Sequence, residues 1–132
     1  MTSDPQTIKS TSTIADAARN MAEHDVGAMV VVDASDKVVG IVTDRDIAVR
    51  VVSEGRDPKT AKVSEVASKD LTTLSPGDSV AEAVRVMRDK AIRRLPVVEN
   101  GRPVGIVSIG DLAIERDSSS ALAEISAKPG NR

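Results

Sequence analysis

No phenylalanine, tyrosine or tryptophan occurs anywhere in the 132 residues. The interior therefore has to be assembled from Val, Ile, Leu, Met and Ala. A flat ring bound by this chain cannot stack on an aromatic side chain, so aliphatic contacts and backbone hydrogen bonds would have to hold it. Cysteine is absent as well, which excludes disulfides and thiolate metal sites. The single histidine, His24, falls at the end of a predicted helix, where a cation complements the dipole. A surface role fits it better than metal binding. No apolar run reaches the roughly 20 residues needed to span a bilayer, and no N-terminal stretch has the apolar core of a secretion signal. A cytoplasmic location is the expectation. Charge of one sign is also missing: 18 basic residues face 20 acidic ones, for a net −2, which argues against bulk binding to nucleic acid or an anionic membrane. What is there, 40% hydrophobic and 29% charged residues, suits one soluble module able to bury a real core.

Within that composition two passages are written twice. Ile14-Ala15-Asp16-Ala17-Ala18-Arg19-Asn20-Met21 returns as Val80-Ala81-Glu82-Ala83-Val84-Arg85-Val86-Met87, offset by 66 residues. Val39-Gly40-Ile41-Val42-Thr43-Asp44-Arg45-Asp46 returns as Val104-Gly105-Ile106-Val107-Ser108-Ile109-Gly110-Asp111, offset by 65. One residue is lost between the two, and the turn around Ala34 to Lys37 is where it must go. A repeat of helix-then-strand text predicts two equivalent units, a shared core and twin sites.

The first copy, residues 1–56, opens with an extended piece near Gln6 to Ile8. Thr13-Ile14-Ala15-Asp16 reads as a capping box, and Ile14, Ala17, Ala18 and Met21 fall on one helical face. Gly27 ends that segment. Met29 to Val32 and Val38 to Val42 are apolar runs of strand length across the polar turn Asp33-Ala34-Ser35-Asp36, a hairpin signature. A second helix runs from about Asp44 to Ser53 and stops at Gly55. Residues 57–117 hold a linker and the second copy. Lys62 to Ala67 forms a short helix and Leu71 to Leu74 is extended. Ser79 to Glu82 is another capping box, with Val80, Ala83, Val84 and Met87 on the buried face. Leu95 to Val98 and Pro103 to Val107 are strands around an Asn100-Gly101 turn, and a last helix covers Ile109 to Arg116. Residues 118–132, with three serines and Lys128-Pro129-Gly130, read as a flexible tail. Met21, Met87, Val31, Val97, Ile41 and Ile106 are the expected core.

The strand-to-helix junction Gly40 to Asp46 has two readings. In one, Thr43 simply caps the helix and Asp46 complements its dipole. In the other, free N–H groups at the helix start attract phosphate, the hydroxyl adds a donor, and the aspartate accepts from both hydroxyls of a ribose. The recurrence as Gly105 to Asp111 keeps the glycine, the hydroxyl and the distal aspartate but not the middle pair. Elsewhere Asp33, Asp36, Asp44 and Asp46 lack calcium-loop spacing, and Asp16 and Glu82 are read as cap partners. No nucleophile stands beside a base, so catalytic residues and an enzymatic role are not expected.

The repeated helix, the hairpin, the Gly-Ile-Val-Thr/Ser-x-x-Asp ending and Arg94-Leu95-Pro96-Val97-Val98 together resemble the cystathionine-β-synthase (CBS) domain, present as a tandem pair or Bateman module, over essentially residues 1–116. Residues 55–66 resemble the linker of small stand-alone bacterial members that carry no attached enzyme. The resemblance implies an α+β fold: two β-α-β-β-α units packed with pseudo-twofold symmetry through their sheets, with two clefts at their interface. In relatives those clefts hold adenosine compounds, so the implied ligand is AMP, ADP, ATP or S-adenosylmethionine, with no required cofactor and no metal. By position Asp46 and Asp111 hold ribose, and Thr43 and Ser108 hold phosphate or sugar. Gly27, Ala28, Arg93 and Arg94 stand ahead of the central strands, with Ile41 and Ile106 as aliphatic neighbours. Arg93 and Arg94 match cations that contact phosphates in a kinase regulatory subunit of the family, although solvated surface charge is the rival reading. Three departures stand out. Gly27-Ala28 replaces an arginine pair in the first copy. Ile109-Gly110 replaces Asp44-Arg45 in the second. The short helix that often precedes the first unit has no counterpart before Thr2. The resemblance implies a non-enzymatic sensor whose ligand shifts conformation or assembly and so acts on a partner protein. The alternative is a protein–protein interaction or structural module with vestigial clefts. A homodimer is expected through Ile47, Ala48, Val51 and Val52 and through Leu112 and Ala113.

Overall fold

Thr13 and Ser79 open the two long helices as the sequence predicts. In the computed structural model, which describes Thr2, Ser3, residues 5–68 and residues 72–108, the chain divides into two compact units. One is Gln6–Leu71; the other joins Met1–Pro5 to Thr72–Arg132. The described residues form a mixed helix-and-strand fold with two three-stranded sheets. The last predicted helix, Ile109 to Arg116, the tail beyond it, and Asp111, Leu112, Ala113 and Leu71 lie outside the described residues.

The Gln6–Leu71 unit contains β2 (Thr7–Lys9), α1 (Ile14–His24), β3 (Ala28–Val32), β4 (Val38–Thr43), α2 (Asp44–Ile47), a π-helical stretch (Ala48–Val52) and α3 (Val63–Val66). β2 runs parallel to β3 and β3 antiparallel to β4. Thr13 Oγ1 accepts from the Asp16 N–H and Asp16 Oδ2 from the Thr13 N–H. These bonds, with an ion pair to Arg19, hold the Asp16 carboxyl below its ordinary value. α1 buries Ile14, Ala17 and Met21 against Met29, Val31 and Val42. Ala18, expected on that face, is exposed, so the stripe is narrower than the spacing implied. The helix stops not at Gly27 but at Asp25, which takes the left-handed conformation at φ 53°; a short polar side chain tolerates that region.

The second unit holds β1 (Thr2–Ser3), α4 (Val80–Lys90), β5 (Arg94–Glu99) and β6 (Arg102–Ser108), with sheet order β1-β6-β5. Ser79 Oγ accepts from the Glu82 N–H at 3.1 Å. The reciprocal half of the predicted box does not form, because the Glu82 carboxylate is engaged by Arg85. Ala83 and Met87 pack with Leu95, Val97 and Val107, and Ala91 ends the helix at φ 54°.

The two hairpins account for the lost residue. Val32 pairs with Val38 across five residues and Val98 with Pro103 across four. In the longer turn Asp33 Oδ1 accepts from Ser35 and Lys37. The shorter one is the expected Asn100-Gly101 turn, with both residues at positive φ, as a tight hairpin requires. Both hairpins shift register at the same place, between Val31 and Val32 and between Val97 and Val98, so Val39 and Val104 are each an extra residue on the second strand.

The outer edges of the sheets match too. Ser68 bridges Ile41 on β4, through an N–H to carbonyl bond of 3.0 Å and a return bond of 3.4 Å. Thr2 stands opposite Ile106 and Ser3 opposite Gly105 on β6. The approach at β4 is close enough that a Cβ on Gly40 would lie 2.5 Å from the Ser68 carbonyl oxygen. That explains why the strand carries glycine there.

Candidate functional site

The repeated junctions sit at the open ends of the two hairpins. Ala28 is the cross-strand partner of Thr43, and Arg94 that of Ser108. Side chains alternate across a sheet, so each hydroxyl shares a face with the residue two positions earlier. Thr43 lies on the face of Ile41, Val30 and Ala28, and Ser108 on the face of Ile106, Pro96 and Arg94. The opposite faces, Met29, Val31 and Val42 in one unit and Leu95, Val97 and Val107 in the other, belong to the helix-packed cores. This corrects one expectation. Ile41 and Ile106 are half-buried, whereas Met21, Met87, Val31 and Val97 are buried as expected. The isoleucines form an aliphatic strip next to the hydroxyls rather than part of the helix-packed core.

In the first unit the junction is a complete capping box. Asp46 N–H donates to Thr43 Oγ1 at 3.1 Å, and Thr43 N–H donates to Asp46 Oδ2 at 2.9 Å. Both residues are half-buried. Two further bonds close the turn: Asp44 N–H to the Gly27 carbonyl at 2.9 Å, and Arg45 N–H to Asp44 Oδ1 at 2.8 Å. The first three N–H groups of α2 are therefore all occupied. The sequence reading that free donors await a phosphate here does not hold for this turn. An anion would have to displace the exposed Asp44 side chain and would meet two carboxylates. What the turn does offer is Asp46, with one oxygen committed to the cap, beside the Thr43 hydroxyl and the Ile41 strip.

The second unit presents a different set. Arg94 is half-buried on β5, directly across from Ser108 at the end of β6, and Arg93 beside it is exposed. Asp111, the expected ribose partner, lies outside the described residues. The structure thus brings Gly27, Ala28, Ile41, Thr43 and Asp46 together in one unit, and Arg94, Ile106 and Ser108 together in the other. Asp44 was missed as a participant. Its only signal was that the motif's middle pair is not repeated. No helix of the described residues is long and apolar enough to cross a membrane, and no cluster of three or more metal-ligating side chains occurs among them.

A family profile of the CBS domain matches residues 1–53 and 63–117. The chain is 43% identical over 130 residues to the CBS domain-containing protein YhcV of Bacillus subtilis, covering 96% of this chain and 91% of that one. It is 38% identical over 101 residues to hypoxic response protein 1 of Mycobacterium tuberculosis, covering 76% and 71%. Among solved structures, the hexameric CBS-CP12 protein from bloom-forming cyanobacteria superposes with a TM-score of 0.80 at 33% identity, over 89% of this chain and 69% of that one.

Proposed function

The chain belongs to the CBS-domain family, carrying the domain twice, and from that premise we propose that it is a regulatory adenosine-nucleotide sensor rather than an enzyme. The observation that carries the reading is the pairing, in each hairpin, of an aliphatic strip with a hydroxyl at its open end: Ile41 with Thr43, and Ile106 with Ser108. A chain without aromatic residues must hold an adenine by such strips and by peptide groups, here those of Gly27 and Ala28 and of Arg93 and Arg94. Asp46 and Asp111 accept from the ribose hydroxyls, and Thr43 and Ser108 donate to sugar or phosphate. Candidate ligands are AMP, ADP, ATP and S-adenosylmethionine. A ligand of this kind acts by binding one conformation or assembly better than another, and a partner protein reads the result.

Self-association fits the same role. Val49 and Val52 project from the π-helical stretch at 47% and 66% exposure, and a structural relative is hexameric. A homodimer using that stretch, with exposed Ala48 and half-buried Ile47 beside the two valines, is the proposed assembly; Val51, expected at the contact, is instead fully buried in the core of its own unit. The cytoplasm is the proposed location. Thermal-shift and calorimetric titration with the four ligands tests the reading. A ligand present at 100 times its dissociation constant raises stability by about 2.7 kcal/mol. No shift and no heat with any of them would leave only an interaction module.

A further inference from the structure

We propose that Arg50 is a positioning residue that ties the Thr43–Asp46 turn to the segment Val66–Ser68, so that occupancy of that turn is passed to the chain leaving the first unit. The proposal rests on the nucleotide reading for its ligand, but its structural half stands on the geometry alone.

Three contacts define the tie. Arg50 lies one helical turn beyond Asp46 in the continuous run Asp44–Val52. Its Nη1 donates to the Val66 carbonyl at 3.1 Å in a partly buried setting. Val66 is the last residue of α3 and fully buried, as is Val63, so this carbonyl belongs to an anchored helix end. Two residues on, Ser68 exchanges backbone hydrogen bonds with Ile41, and its carbonyl occupies the space that a side chain on Gly40 would need. Ile41 is two residues before Thr43 on β4. The three-residue segment is therefore gripped from both arms of one junction: from the strand through Ile41, and from the helix through Arg50. Anything that fixes the angle between strand and helix at Thr43–Asp46 also fixes where Val66–Ser68 sits.

A helix end needs its last carbonyls satisfied, and a cap for α3 is the simpler role for Arg50. The second grip argues for more: two residues beyond Val66 the same segment is held by Ile41, from the strand arm of the same junction. At the offset of 65 residues that relates the motifs, the position of Arg50 is taken by Glu115, and an ionised carboxylate has no proton to donate to a carbonyl.

The test is amide hydrogen exchange at Ser68 and Ile41 in the full chain, with and without S-adenosylmethionine, the candidate ligand that brings no phosphate to the two carboxylates of this turn, in wild type, Arg50→Met and Arg50→Lys. Met keeps an apolar stem but no donor. Lys keeps the charge and a donor. In ligand-free protein, Arg50→Met is expected to speed Ser68 exchange by roughly tenfold, the worth of a bond from a charged donor, with Arg50→Lys in between. Bound S-adenosylmethionine should slow Ser68 in wild type, leave it unchanged in Arg50→Met, and slow it partly in Arg50→Lys. A cap alone would alter the baseline and leave the ligand-induced slowing intact, and that result overturns the proposal. So does an unchanged Ser68 rate in ligand-free Arg50→Met, and so does ligand that binds by calorimetry, with heat that Asp46→Ala removes, but leaves wild-type Ser68 unmoved. If S-adenosylmethionine gives no heat while Ser68 still exchanges faster in Arg50→Met, the nucleotide reading of this turn fails and the structural tie is supported.

Discussion

The two hairpins are alike in almost every backbone detail and opposite in charge at their open ends. Each has the bulge at the same register position, a glycine under the edge segment and a hydroxyl at the last strand residue. Yet Thr43 faces Ala28 beside Asp44 and Asp46, whereas Ser108 faces Arg94 with Arg93 adjacent. Duplication preserved what the backbone needs and let the side chains at the open ends diverge. The first junction is closed on itself, its helix donors occupied by Gly27, Asp44 and Thr43. The second carries cations. If both open ends bind ligand as proposed, the second should favour a phosphorylated one and the first a less charged one.

The largest effect that can break this comparison is steric. Gly40→Ala forces a methyl against the Ser68 backbone and should cost about 1–3 kcal/mol in chemical denaturation. Gly105→Ala, opposite Ser3 of the two-residue β1, should cost less. Equal losses would mean that both edges are held alike.

Next comes the ligand. Arg94→Ala should weaken AMP about tenfold at the tighter calorimetric event, because a charge-assisted hydrogen bond is lost. Asp111→Ala should abolish that event while Asp46→Ala spares it. The reverse order would assign the tighter site to the first unit. A third expectation concerns the helix ends. Both long helices close on a left-handed residue, Asp25 and Ala91. Alanine pays about 1–2 kcal/mol there, so Ala91→Gly should raise stability by about 1 kcal/mol, and Asp25→Gly by less.

The smallest effect is acid sensitivity. Asp16 is held low first by the Thr13 hydrogen bonds and then by Arg19. Glu65 is held low first by the Lys62 N–H and then by Arg56. Folded pKa values below the unfolded ones mean that the unfolded chain binds protons more readily. The stabilisation is thus complete above about pH 5 and is lost as pH falls through about 4 and below. Both groups belong to the Gln6–Leu71 unit, so its amides should lose exchange protection first on acidification. Asp16→Asn should flatten the response.

The caps, the hairpins and the repeat itself could be read from sequence because each is local: a hydroxyl three residues before an acid, or an Asn-Gly between apolar runs. The face assignment could not. Gly40-Ile41-Val42 is apolar throughout, and a continuous apolar run hides its period of two, so Ile41 and Ile106 looked like residues of the helix-packed core. Gly27 looked like a helix stop because glycine is the usual left-handed residue, and Asp25 took that place two positions earlier. Ser79 and Glu82 matched a capping box, but the carboxylate also had Arg85 within reach three residues on. Arg50 reads as any surface arginine. Only folding brings it to the Val66 carbonyl, 16 residues away, and only then does Glu115 become an informative difference.

The pairing of Thr2 and Ser3 with β6 also bears on solubility. A bare strand edge is a template on which other chains can add strands, and natural sheets keep such edges covered. Here the cover on β6 is two residues drawn from ahead of the other repeat, and that on β4 is Ser68, drawn from ahead of its own counterpart. Each repeat thus shields the sheet of its sibling. A fragment beginning at Gln6 would retain every helix and hairpin of the described fold and still leave Gly105 and Ile106 bare, giving a chain more prone to sticking edge to edge.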